Sequence, residues 1–275
     1  MNLNRHYVSG YIKTNKHLMK NILLSSLLVL ACIVSEAQTV AVVDFMKVSG
    51  NNQDAYLAVE KQWKNLHQSR VESGQILAWQ LFAVRGSGTS SSYNFATVTI
   101  YPNFAQTETS FTDADFKKAF GPNSAEFLKK TVASRDLIYS QTYQLQVGIH
   151  SDSPDKYLVI NSIHTDNVEK YINMEKTGYM PIHEQAKKAG QRNSWGIWTR
   201  WPNEDNNVQA VAVDGYSKFS DINSGDYNDL MGKVMASKKA GEVYDMIDQI
   251  SKTDAIRTIV KSEIWDLLDV TKPKM

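Results

Sequence analysis

Residues 56–79, YLAVEKQWKNLHQSRVESGQILAW, and residues 171–195, YINMEKTGYMPIHEQAKKAGQRNSW, are two versions of one pattern. Tyr56, Glu60, His67, Gly74 and Trp79 recur as Tyr171, Glu175, His183, Gly190 and Trp195, with the same order and spacing apart from one extra residue before His183. A second block agrees without a gap. Arg135, Leu137, Ile138, Ser140, Tyr143 and Leu145 align with Arg257, Ile259, Val260, Ser262, Trp265 and Leu267. Anchors at both ends of each half read as a tandem duplication.

Working outward from the helix-like stretch, each half reads as strand, helix, strand, strand, helix, strand. In the first, Val40 to Val48 is β-branched and apolar, and Asp54 to Ser73 carries Tyr56, Val59, Trp63 and Leu66 on one helical stripe. Gly74 stops that helix. Gln75 to Val84 and Tyr93 to Tyr101 are strands around a Gly/Ser-rich loop, a helical region from Asp113 to Ser134 is broken near Gly121-Pro122, and Leu137 to Val147 is the last strand. The second half repeats the order with strands at Tyr157 to His164, Asn193 to Arg200, Val208 to Tyr216 and Thr258 to Leu268, and its first helix at Asn167 to Ala189. The domain division that follows is an N-terminal extension and signal peptide over 1–37, a first half over 38–150, a linker over 151–156 and a second half over 157–275.

A βαββαβ order in about 110 residues is the ferredoxin-like unit, α+β in class, whose four-stranded sheet has both helices on one face and the other face bare. Two such units in one chain can cover each other by packing sheet to sheet. On the repeated Tyr-x3-Glu helix, Gly stop and Trp strand, the chain resembles the dimeric α/β barrel superfamily in a fused form. That resemblance implies relatives as different as cofactor-free monooxygenases, haem-degrading enzymes, chlorite-dismutase-like haem proteins and lactone isomerases. Fold alone does not choose among them.

The first residues speak to compartment. Ile22 to Val34 is an apolar run preceded by Lys16, His17 and Lys20 and followed by Ser35-Glu36-Ala37, a small-x-small cleavage site, so export with a mature start at Gln38 is expected. Periplasmic or secreted localisation follows. Cys32, the only cysteine, offers a lipoprotein box as the second-ranked reading. The run is shorter than the about twenty apolar residues of a membrane span, so the mature chain is expected to hold none. Removing Arg5, Lys13, Lys16, Lys20 and Glu36 from 30 basic and 29 acidic residues leaves 26 against 28, with no basic stripe for phosphates. Nucleic acid is therefore not an expected partner; a small apolar or aromatic molecule is, and self-association stays open.

Any chemistry should lie on the first helix of each half. At 100° per residue Glu60 and His67 stand at the margin of the buried stripe, and the repeat places Glu175 and His183 there too. These four are the candidate acid–base groups. Trp63, Arg70 and Trp79, with Tyr179 and Trp195 in the second half, are the candidate ligand-binding residues lining a helix-to-sheet cavity. The competing reading pairs Glu60 with Lys64 and leaves His67 half-exposed. No metal motif and no nucleophile elbow occurs, so neither metal nor cofactor is expected, although one histidine per half leaves haem ligation open. The leading functional expectation is a small-molecule-binding protein. A cofactor-independent oxygenase or isomerase is the alternative, and a protein-interaction module the third.

The repeats differ at one place, and the difference has a geometric meaning. One extra residue between Glu175 and His183 would rotate His183 by about 100° in a straight helix. With Gly178 and Pro181 in the interval, a π-bulge or kink between Thr177 and His183 is expected to absorb it.

Overall fold

The computed structural model describes residues 39–109, 111–202, 207–223 and 225–274. The expected signal peptide, Cys32 and the mature start at Gln38 lie outside the described residues, as does the centre of the turn at 203–206.

The first half runs β1 (Val40–Lys47), α1 (Gln53–Ser73), β2 (Ala78–Val84), β3 (Phe95–Tyr101), α2 (Asp113–Phe120), α3 (Ser124–Ser134) and β4 (Asp136–Ile149). The second runs β5 (Tyr157–His164), α4 (Val168–Met174), a π-helical turn (Glu175–Tyr179), α5 (Met180–Lys188), β6 (Ser194–Trp201), β7 (Ala210–Tyr216), α6 (Tyr227–Ser237), α7 (Ala240–Ser251) and β8 (Thr258–Val270). The element order matches the reading from sequence, with boundaries shifted by a few residues. β2 begins three residues later than expected, at Ala78, and β4 runs two residues further, to Ile149, because Gly148 and Ile149 still find partners in Gly196 and Trp195.

Local chemistry accounts for the helix limits. Gly74 sits at φ 79°, the left-handed conformation that closes α1, and the N–H groups of Gly74 and Gln75 return to the carbonyls of Val71 and Arg70 at 3.0 and 2.9 Å. Thr112 and Asp115 cap α2 reciprocally. The break after α2 falls at Gly121, whose φ of 63° suits no β-carbon, followed by Pro122.

The eight strands form one closed antiparallel barrel in the order β1-β3-β2-β8-β5-β7-β6-β4. Within it lie two four-stranded sheets, β4-β1-β3-β2 and β8-β5-β7-β6, each in the ferredoxin-like order. They face each other, as the bare-face argument requires. They are not two stacked layers, however: β2 pairs with β8 and β4 with β6, so the sheet edges are hydrogen-bonded into a ring. An edge strand left open would expose unpaired N–H and C=O groups, and closure removes that cost. The β4–β6 contact begins only at Thr142 and the ladder of β8 with β2 only at Trp265, so the first turns of β4 and β8 rise past their neighbours at the same end of the barrel.

Alternation along each strand separates two kinds of core. Val40, Trp79, Leu81 and Phe95 turn outward under α1 with Tyr56 and Val71. Ile163, Trp195, Ile197 and Ala210 do the same under Tyr171 and Met174. Ala41, Val43, Phe45, Val98, Ile160, Val211 and Trp265 point inward to the lumen. Trp198 follows the lumen set while its neighbour Ile197 packs under the helices, as their alternate spacing requires. Among the described residues no helix is long and apolar enough to cross a membrane.

Candidate functional site

The π-helical turn appears where the extra residue demanded it. Glu175–Tyr179 forms it, and Gly178 is part of the reason it fits: a β-carbon there would stand 3.1 Å from Ile250 of α7. Beyond the turn His183 recovers the position that His67 has in the first half. His67 stacks on Trp79 at 5.3 Å and 7°, and His183 on Trp195 at 4.6 Å and 21°.

Each histidine also faces a guanidinium. Arg70, one helical turn on from His67, approaches its Nδ1 at 3.4 Å and donates to the Tyr101 hydroxyl at 3.4 Å. In the second half the arginine comes from the loop after α5. Arg192 meets Nδ1 of His183 and donates to the Tyr216 hydroxyl at 3.0 Å. Arg192 is neutralised by Asp214 at 2.7 Å. Burial, seconded by the adjacent arginine, pushes His67 down to about 3 and His183 well below the ordinary histidine value. Both rings are therefore neutral at physiological pH, and the nitrogen facing the arginine is the acceptor.

The glutamates have other partners. Glu60 is 1% exposed and forms an ion pair with Arg135, which begins the second repeated block; Arg135 lies over the Tyr56 ring at 5.7 Å. Glu175 pairs with Arg257 at 3.3 Å. Burial lifts Glu175 to about 7, against the opposing pull of Arg257. Tyr56–Glu60–Arg135 and Tyr171–Glu175–Arg257 are thus two copies of one buried tether between the first helix and last strand of a half. The alternative pairing of Glu60 with Lys64 does not form, since Lys64 reaches Asp269 at 2.5 Å, and His67 is 7% exposed rather than half-exposed. Glu and His do not converge on a shared pocket: Glu60 belongs to the Arg135 tether and His67 to the Trp79–Arg70 stack. Trp63 packs among Phe116, Phe120 and Phe127 and donates to Thr131 at 3.2 Å. Tyr179 stands against Tyr227 and bonds Thr253.

The large cavity lies on the other side of the sheets. It is the barrel lumen, about 860 Å³, walled in its middle by Ala41, Val43, Ile100, Leu158, Val213 and Trp198. Gly148 and Gly196, paired across β4 and β6, also line it, and a β-carbon at either would stand 3.1 Å from a neighbouring atom. Of the nine residues singled out from sequence, only Trp195 borders it. At the end where β4 and β8 begin, the lining becomes polar. Tyr93 donates to Glu263 at 2.8 Å, Lys261 donates to Tyr93 at 3.0 Å and pairs with Glu263 at 2.7 Å, and Trp265 Nε1 lies 3.4 Å from the same carboxylate. Burial and the Glu263 carboxylate raise the Tyr93 phenol above its ordinary value. Phe45 and Tyr139 stack beside this group at 4.4 Å. The far end carries Asp155, bonded to Ser194 at 2.6 Å, with burial raising its carboxyl. The repeat could not reveal the polar cluster. In the aligned blocks Lys261 and Glu263 stand opposite Tyr139 and Gln141, so nothing recurs.

No family model matches the sequence, and no curated protein is detectably similar to it. Among the solved structures that share its fold are two bacterial proteins. A "putative monooxygenase" from Fusobacterium nucleatum superposes with a TM-score of 0.52 at 12% identity, over 87% of this chain and 96% of that one. A "putative monooxygenase" from Lactobacillus acidophilus does so with a TM-score of 0.50 at 11% identity, over 86% and 97%. With the closed antiparallel ring of eight strands and the helices outside it, these likenesses identify the architecture: the chain has the dimeric α/β barrel fold, both walls of the barrel supplied by one polypeptide.

Proposed function

We propose that this is a small-molecule-binding protein that holds an apolar or partly aromatic ligand in the barrel lumen. The observation that carries the reading is the lumen's size. Protein interiors are ordinarily packed with few voids larger than a water molecule, and about 860 Å³ lies in the range of ligand pockets. Its wall is mostly aliphatic and aromatic, with a few polar side chains and the charged ones gathered at the ends, the composition such pockets show. Trp198 and Trp265 line it, so occupancy is readable in their fluorescence. The test is titration with an apolar fluorescent probe, using Gly196→Phe and Val213→Phe to fill the lumen and His67→Ala and His183→Ala as comparisons. Loss of binding in the lumen variants alone supports the reading. Loss in the histidine variants alone would move the site to the helix side.

A second reading, a cofactor-independent oxygenase or isomerase, has one observation in its favour. A carboxyl lifted to about 7, as Glu175 is, has the proton affinity expected of a general base. In it Glu175 takes the proton beside Arg257 and Tyr179, and His183, held on the separate Trp195–Arg192 stack, takes no part. The likeness to the two "putative monooxygenase" structures is compatible with it at the level of fold. Oxygen uptake with dihydroxy-aromatic substrates, abolished by Glu175→Gln, would select this reading.

Two further proposals concern the chain as a whole. The matched tethers and matched histidine stacks support descent from a tandem duplication. Export, with cleavage before Gln38, rests on the apolar run and the small-x-small site.

A further inference from the structure

We propose that the lumen accepts an elongated amphiphile, a long-chain monocarboxylate, with its carboxylate at the Tyr93–Lys261–Glu263 end and its chain running toward Asp155; this rests on the lumen being the ligand site.

Shape is the first argument. Thr39 and Phe45 both line the cavity, six residues apart on one strand, so it runs for about 20 Å along β1, or about 15 Å along the barrel axis once strand tilt is allowed for. Dividing about 860 Å³ by that length leaves a channel roughly 8 Å wide, about twice as long as broad. A compact ring system would leave much of it empty.

Polarity orients the occupant. Between the two ends the wall presents chiefly Ala41, Val43, Leu158, Ile160 and Val213, with Gln80, Gln141 and Tyr143 as its uncharged polar members; Gln141 spends its amide N–H groups on the carbonyls of Thr142 and Trp201. The charged side chains of the lining, Asp155, Arg200, Lys261 and Glu263, stand at the ends, so a charged headgroup belongs there, and the two ends offer it different partners. At the far end stands a carboxyl, Asp155, with Ser194 as its partner. At the near end both oxygens of Glu263 are already engaged, Oε1 by Lys261 and Oε2 by Tyr93 and Trp265. The Tyr93 hydroxyl donates once and accepts once within the same cluster. What remains unspent is donor capacity: the Lys261 ammonium has three N–H groups and two internal partners, and its side chain is 50% exposed. Arg200 lines the same end. A group that brings acceptors and negative charge completes this cluster, whereas an ammonium competes with Lys261 for oxygens that are taken.

The experiment compares oleate, oleyl alcohol and oleylamine, each displacing an apolar fluorescent probe from the full mature chain, with 2-naphthoate as a compact carboxylate. The expected order is oleate tightest, oleyl alcohol about tenfold weaker, and oleylamine and 2-naphthoate weaker still. Lys261→Gln should weaken oleate by tenfold or more, leave oleyl alcohol within twofold, and be rescued by Lys261→Arg. Circular dichroism establishes that each variant is folded, and Val213→Phe serves if Gly196→Phe is not. Oleylamine binding as tightly as oleate would overturn the assignment of charge. Binding of 2-naphthoate in preference to oleate would overturn the elongated ligand yet leave the lumen site standing. Undiminished oleate binding in folded lumen-filling variants would overturn the lumen reading itself.

Discussion

Replacing Arg135 by Met should leave Glu60 stranded, and the structure sets both the size and the pH dependence of the damage. Glu60 is 1% exposed and its ion pair is with Arg135, whose guanidinium lies over the Tyr56 ring; Met replaces the arginine stem and removes that cation. A buried carboxylate without its cation can escape by taking up a proton. That escape costs about 1.4 kcal/mol for each pH unit above the ordinary glutamate value of about 4.3. The charge-dependent loss should therefore approach about 4 kcal/mol at pH 7.5 and fall below about 2 kcal/mol at pH 5.5. The sign follows from the direction of the shift: the variant's folded state holds Glu60 protonated where the unfolded chain ionises it, so stability declines as pH rises. Urea denaturation of wild type, Arg135→Met and the double variant Arg135→Met/Glu60→Gln at four pH values between 5 and 8 measures it. The double variant should lose the pH-dependent part of the difference from wild type. A single variant with a pH-independent loss, or a loss under about 1 kcal/mol at pH 7.5, would refute the claim that Arg135 alone secures Glu60.

Other outcomes follow from the same geometry. His67 is held neutral down to about 3, so the stability it contributes is full above the unfolded value of 6.5 and is lost as pH falls from there toward 3, by about 1.4 kcal/mol per unit; His67→Phe should flatten that part of the acid denaturation profile. NMR should show the His67 and His183 rings without a titration between pH 5 and 8. Gly178→Val should cost about 1–3 kcal/mol in chemical denaturation, because its side chain enters the space of Ile250, whereas Gly232→Ala, inside α6 with open space around it, should raise stability by about 0.5–1 kcal/mol. Gly74→Ala forces a β-carbon into a left-handed cap and should lower stability by about 1 kcal/mol. Mass spectrometry of the exported protein should find a chain beginning at Gln38, and a lipidated Cys32 would reverse that expectation.

What could be read in advance depended on how local its cause was. The cap at Gly74, the break at Gly121-Pro122 and the π-helical turn before His183 each arise within a few residues, and each left a sign in the sequence. The tethers were half legible. Tyr56, Glu60 and Arg135 all recur, but their recurrence was not seen as three members of one contact, because about 75 residues separate Glu60 from Arg135. The lumen left no sign at all. Its volume is the remainder after eight strands have each contributed side chains, and a position such as Gly196 matters only opposite Gly148. Strand periodicity sorts residues into two faces and has no means of showing that the inward set fails to fill the interior.

The single-chain barrel also escapes a restriction that symmetry imposes on pairs. In a homodimer every group on one wall appears again across the axis, so a lysine and a glutamate at one mouth would face a second lysine and glutamate. Here the corresponding places on β4 hold Tyr139 and Gln141. One wall is charged and the other is aromatic and neutral, an arrangement open only to unlike partners. Residues 150–156 hold the two walls together at a fixed effective concentration, so either wall can change without having to complement itself. Asymmetry of the binding channel comes with that freedom: an occupant entering this lumen meets a left and a right side that differ, and can be held in one orientation.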